Sequence, residues 1–141
     1  MGVSCEDIDR SLGFYRDVLG LQVLDRGVEN SAGMATLLGR DRVVFEYADL
    51  DAGDGRVVEL VSYTLPVADG LPGLPQRPGT AHIALRVDSV AATLERLHEA
   101  GAEVISHAPL HITGTGGFWE GATCLLTRDP DGALVELVER S

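Results

Sequence analysis

The chain has 141 residues, 45% of them apolar and 23% charged; that suits one domain burying roughly two-thirds of its unfolded surface, and excludes a disordered chain or a coiled coil. Its 22 acids and 11 bases leave a formal charge of −11, which makes nucleic acid and anionic membranes poor partners. Every base is an arginine, so Schiff-base and P-loop lysine chemistry are closed to it.

Taken in chain order, residues 1–5 read as an opening strand, about 8–19 as a helix and 21–27 as a strand. A short helix fits SAGMATLLG, and Arg42–Leu50 and Arg56–Tyr63 form a hairpin across the turn-rich DAGDG. Residues 64–79 hold four of the six prolines and read as a linker. Beyond it come a strand at 81–87, a helix at 89–100, a strand at 102–106 and a long loop. Strands at 123–128 and 133–139 close the chain, joined by the tight turn Asp129-Pro130-Asp131-Gly132. No apolar run approaches the ~18 residues of a membrane span. Cys5 and Cys124 are too few for a disulfide framework and read as small core residues. A cytoplasmic location is the expectation.

The chain also repeats itself. DIDRSLGFYRDVLGLQVL from Asp7 lies over DSVAATLERLHEAGAEVI from Asp88 at an offset of 81. Val57-Val58-Glu59-Leu60-Val61 matches Leu134-Val135-Glu136-Leu137-Val138 at an offset of 77. Two matches in the same order indicate a duplication. The expected fold class is therefore α+β: two βαβββ modules in tandem, about 1–63 and 80–141, forming a cup-shaped mixed sheet within one domain.

Two carboxylates stand out within this pattern. Glu59 and Glu136 each sit mid-strand among apolar neighbours on both faces, where an unpaired charge costs several kcal/mol. A structural pair with arginine is the plain explanation, but no arginine recurs at matching positions of the repeat. His82 opens the first strand of the second half. One imidazole and two carboxylates form a set suited to Zn, Ni, Co, Mn or Fe(II).

Ser11-x-x-Phe14-Tyr15-x-x-x-Leu19-Gly20, the strand VVELV, AHIALRVD, and Asp129-Pro130-Asp131-Gly132-x-x-Val135-Glu136 together resemble the vicinal oxygen chelate superfamily. That superfamily includes glyoxalase I, methylmalonyl-CoA epimerase, extradiol dioxygenases and bleomycin- and fosfomycin-resistance proteins. The resemblance implies one divalent metal held by Glu59, His82 and Glu136. A fourth ligand is expected from the opening strand: counting back from Asp7 puts it at position 0, whereas the repeat offset puts it at Met1. It further implies proton transfer on a small carbonyl substrate, with Glu136 as base and Glu59 as second candidate. A homodimer is expected as well.

The loop from His107 to Gly121 would cross the mouth of the second module, where Phe118 and Trp119 could cover an apolar substrate. His111, and Tyr63 on the strand face of Glu59, complete the candidate substrate contacts. Arg16, Arg26 and Arg42 are available to anchor a glutathione adduct or a CoA ester. The alternatives to a glyoxalase- or epimerase-type enzyme are an Fe(II) extradiol-type dioxygenase and a metal-free drug-binding protein of the bleomycin-resistance type.

Overall fold

Strands with alternating apolar residues need a covered face, and the chain supplies it with two four-stranded mixed sheets and few helices, an α+β architecture. The computed structural model describes residues 1–38, 40–53, 55–65, 81–114 and 119–140. They belong to two compact units, Met1–Leu71 and Pro72–Ser141.

The first unit contains β1 (Gly2–Ser4), α1 (Ile8–Leu12, running straight into π turns at Gly13–Val18), β2 (Gln22–Glu29), α2 (Ala32–Leu37), β3 (Val44–Asp51) and β4 (Val57–Leu65). Its sheet order is β1-β4-β3-β2, with β1 parallel to β4 and the other pairs antiparallel. The second unit contains β5 (His82–Arg86), α3 (Val90–Glu99), β6 (Leu110–His111), β7 (Thr123–Arg128) and β8 (Leu134–Glu139). The order β5-β8-β7-β6 repeats the first sheet, again with one parallel pair. No helix of the described residues is long and apolar enough to cross a membrane.

One face of each sheet lies under a helix: α1 packs on β3 and β4, α3 on β7 and β8. Val58 and Leu60 of β4, like Val135 and Leu137 of β8, are fully buried there. Each such side chain contributes about 1.5–3 kcal/mol. The helices start where a side chain takes over an orphaned N–H: Asp7 accepts from Arg10 N, and Ser89 from Ala92 N. Glu139 adds a second acceptor for α3, its Oε2 lying 2.7 Å from Val90 N.

The units correct the repeat as read from sequence. The cap of the second helix is Ser89 rather than Asp88, so the helix starts correspond at an offset of 82, Asp7 with Ser89. The sheet registers agree, since Gly2 pairs with Glu59 as Ala84 pairs with Glu136. The offset of 81 holds only beyond the helices, at Gly20 and Gly101, both with positive φ. Hence α1 together with its π turns has one residue more than α3, and the surplus is taken up in the last turns. In the second unit Ala100, Gly101 and Ala102 donate to Arg96, His98 and Leu97, spans of four, three and five residues. In the first, Leu19, Gly20 and Leu21 donate to Phe14, Arg16 and Tyr15, spans of five, four and six. Each bond reaches one residue further, as expected when a helix absorbs an insertion in π form.

Three further expectations change. The strand expected at 102–106 is a single bridge between Val104 and Thr127. The edge of the second sheet is instead β6, only two residues long, where Leu110 and His111 pair with Cys124 and Thr123. At 64–79, Thr64 and Leu65 extend β4, because Val44 on β3 still offers them a partner. The Asp129–Gly132 turn forms as read: Asp129 Oδ1 accepts from the N–H groups of Asp131 and Ala133 at 3.0 and 2.8 Å.

Candidate active site

In the second unit the face of the sheet away from α3 carries His82, Glu136 and Cys124. Glu136 stands on the inner strand β8, between buried Leu134 and Val138. To one side, on β5, His82 Nε2 lies 3.4 Å from Glu136 Oε2. To the other side, on β7, Cys124 pairs with Val138 and is the diagonal neighbour of Glu136. Burial first, then the nearby Glu136 carboxylate, push its thiol above the ordinary range. Sequence reasoning placed Cys124 in the core and missed this neighbour, although the hairpin at 123–139 already put the two residues on one face.

The expectation that the acids are enclosed on both sides needs correction. The Glu136 side chain is 30% exposed and His82 54%, and Glu59 is half-buried. The carboxylates keep part of their hydration, so the penalty of full burial does not arise. The plain explanation by arginine fails as well. Among the described residues, no ion pair joins an arginine to Glu59 or Glu136.

Two donors bound about 2.1 Å from one cation at a tetrahedral angle stand about 3.4 Å apart. His82 and Glu136 have that separation, so the pair suits half of a divalent site in both spacing and donor chemistry. Among the described residues, no three His, Cys, Asp or Glu side chains are grouped closely enough to hold a cation. The pair needs further ligands.

Glu59 belongs to the first unit, where it pairs with Gly2 of β1 and with Asp49 of β3. A Cβ at Gly2 would lie 3.9 Å from Glu59 Oε2. By the corrected offset Gly2 corresponds to Ala84, and the equivalent of His82 is position 0 rather than Met1. Asp25 continues the row beyond Asp49. The same face carries an apolar cluster of Phe45 and Val61 packed with Ala35 of α2, with Tyr47 and Tyr63 against it. Tyr63 is therefore tied into packing, its ring centroid 5.2 Å from that of Phe45.

The long loop is described in part. Phe118 lies outside the described residues. Trp119 is 44% exposed, with the Arg140 guanidinium 5.8 Å from its ring centroid. His111, expected in a loop, sits on edge strand β6 with Nδ1 3.1 Å from Thr123 Oγ1. Of the expected anchors, Arg16 is bonded to Asp17 at 2.6 Å. Arg26 reaches Asp9 at 2.6 Å and Glu46 at 3.7 Å, from the face opposite Glu59. Arg42 is exposed.

Comparison with known proteins agrees with this architecture. Residues 1–137 match the family described as the Glyoxalase/Bleomycin resistance protein/Dioxygenase superfamily. A probable lactoylglutathione lyase of Vibrio cholerae is 31% identical over 134 residues, 94% of this chain and 83% of that one. The lactoylglutathione lyase of Haemophilus influenzae is also 31% identical over 134 residues, 94% and 84% of the two chains. Among solved structures, a glyoxalase family protein from Bacillus cereus superposes with a TM-score of 0.81 at 20% identity, covering 99% of this chain and 90% of its own. With its paired βαβββ units and this match along nearly its whole length, the chain belongs to the glyoxalase/bleomycin resistance protein/dioxygenase superfamily.

Proposed function

We propose that the chain is a divalent-metal-dependent enzyme of the glyoxalase type, a lyase or isomerase that moves a proton between adjacent carbons of a small carbonyl–thiol adduct. The observation that carries the reading is the His82–Glu136 pair, an imidazole and a carboxylate 3.4 Å apart on an open sheet face. Relatives at about 30% identity named lactoylglutathione lyases support it. In this reading His82 and Glu136 are ligands of the metal. A first-row cation so held would polarise the substrate carbonyl and acidify the neighbouring C–H.

The residues of the chain supply the rest. Glu136 would take the proton from the carbon bearing sulfur and return it to the adjacent carbon, so that the base is regenerated each cycle. His82 Nε2, a borderline donor, stays in place and fixes the Glu136 side of the site.

Elemental analysis of purified protein, with turnover of the methylglyoxal adduct of a small thiol read as thioester formation, tests this. Stoichiometric Zn, Ni, Co, Mn or Fe and loss of turnover on chelation are expected. Glu136→Gln is expected to lower kcat by about 10²–10⁴-fold with an unchanged circular dichroism spectrum. Undiminished turnover by metal-free protein, or by Glu136→Gln, would overturn the reading.

A further inference from the structure

We infer that Cys124 is a positioning residue for Glu136: its S–H donates a hydrogen bond to the carboxylate and holds it from the side opposite His82. The inference rests on the reading of Glu136 as ligand and base. Glu136 occupies an inner strand with one neighbour strand on each side, in the order β5-β8-β7. His82 approaches from β5 and Cys124 from β7, each a diagonal neighbour in its ladder. A glutamate side chain can span the distance to a diagonal neighbour, and buried Cys124 shares this sheet face with half-buried Glu136. Around the sulfur, Ala122, Val138 and Ile112 form an apolar pocket, so the S–H has a strong acceptor in Glu136 and none among those side chains.

A carboxylate on a flexible stem can turn about its last bond, and one contact does not stop it. His82 fixes one side, and a donor on the other fixes the plane of the group. Metal-binding carboxylates depend on such outer partners, whose loss typically costs 10–100-fold in affinity or activity. If sulfur acted only by filling space, an apolar residue of similar size would serve as well, and a hydroxyl would be worse. If it acts as a donor, the order is reversed.

The test compares Cys124→Val with Cys124→Ser in the full chain. Zn(II) affinity is measured on metal-stripped protein by competition with a chromophoric chelator, and the melting temperature is recorded for each variant. Cys124→Val is expected to weaken Zn(II) binding and lower kcat by about 10–100-fold, with KM little changed; Cys124→Ser is expected to recover most of both. Cys124→Val performing as well as wild type, or better than Cys124→Ser, would overturn the inference in favour of packing. An intense thiolate-to-cobalt charge-transfer band in Co(II)-loaded wild type would also overturn it, because sulfur would then be a ligand.

A metal-free measurement separates this from failure of the proposed function. The infrared S–H stretch assigned to Cys124 by its loss in Cys124→Ser is expected below the free-thiol position in stripped protein, and at that position in Glu136→Leu. A free-thiol stretch in wild type sinks the inference whatever the metal content. Wild type that takes up no metal but shows the shifted stretch sinks the proposed function and leaves the bond standing.

Discussion

Gly27 faces Tyr47 across the β2–β3 ladder, and a Cβ there would lie 2.9 Å from the tyrosine hydroxyl and 3.0–3.1 Å from two ring carbons. The ring lies across the glycine, and its hydroxyl donates to Asp25 Oδ2 at 3.1 Å. That bond, then the charge of Asp25, then burial, raise the Tyr47 phenol above its ordinary value of 10.0. Gly27→Ala must therefore swing the ring aside and break the bond. A loss of about 1–3 kcal/mol is expected from overpacking, or roughly 2–4 °C in Tm for each kcal/mol, together with a phenol titrating closer to its ordinary value. A raised folded-state pKa adds stability that is whole below the unfolded value and fades as pH climbs through the folded one. The gap in Tm between wild type and Gly27→Ala should accordingly narrow at alkaline pH. A gap that widens there, or an unmoved phenol, would remove Tyr47–Asp25 from the account.

At the scale of elements, α1 together with its π turns is α3 with one residue added near its end. If the π turns exist to absorb that residue, deleting exposed Asp17 should let the helix close in α form, with Tyr15 and Leu19 staying in the core. The deletion removes only an exposed Arg16–Asp17 pair, worth little by itself. A chain with Tm within a few degrees of wild type is expected, whereas deleting Glu95 from α3, which has no surplus, should turn Leu97 off the core and largely unfold the unit. Equal damage from both deletions would refute the insertion.

The duplication and both hairpins were legible because DAGDG, DPDG and strand-length apolar runs are local signals. The insertion was hidden because Asp88, just before the true cap Ser89, is itself a good cap and preserved a false constant offset. β6 was invisible for a different reason: two residues carry no periodicity, and β7 alone makes them a strand. The short apolar stretch AEVI reads as a strand where the backbone makes only one bridge. Glu59 and Glu136 stood out as charges among apolar strand residues, and His82 as an imidazole to accompany them. Cys124 did not, since a small buried thiol reads as packing until its cross-strand neighbour is known.

For the whole molecule, charge bears most on the choice of substrate. The chain carries −11, and the sheet face of Glu59 also presents Asp25 and Asp49. Arg16 and Arg26, two of the three expected anchors, are bonded to Asp17 and Asp9. A carbonyl adduct of glutathione, anionic at neutral pH, would approach such a surface against repulsion; an adduct of a neutral thiol would not. Raising ionic strength from about 0.01 to 0.15 M shortens the screening length from about 30 to 8 Å. In a charge-dominated encounter, kcat/KM for the glutathione adduct should therefore rise with salt, by several-fold, while that for a neutral-thiol adduct such as 2-mercaptoethanol stays flat. Stopped-flow or initial-rate measurements at fixed pH with a monovalent salt read the slope directly. A kcat/KM that falls with salt for the anionic adduct alone would show a cationic anchor outweighing the net charge, with exposed Arg42 the first residue to substitute.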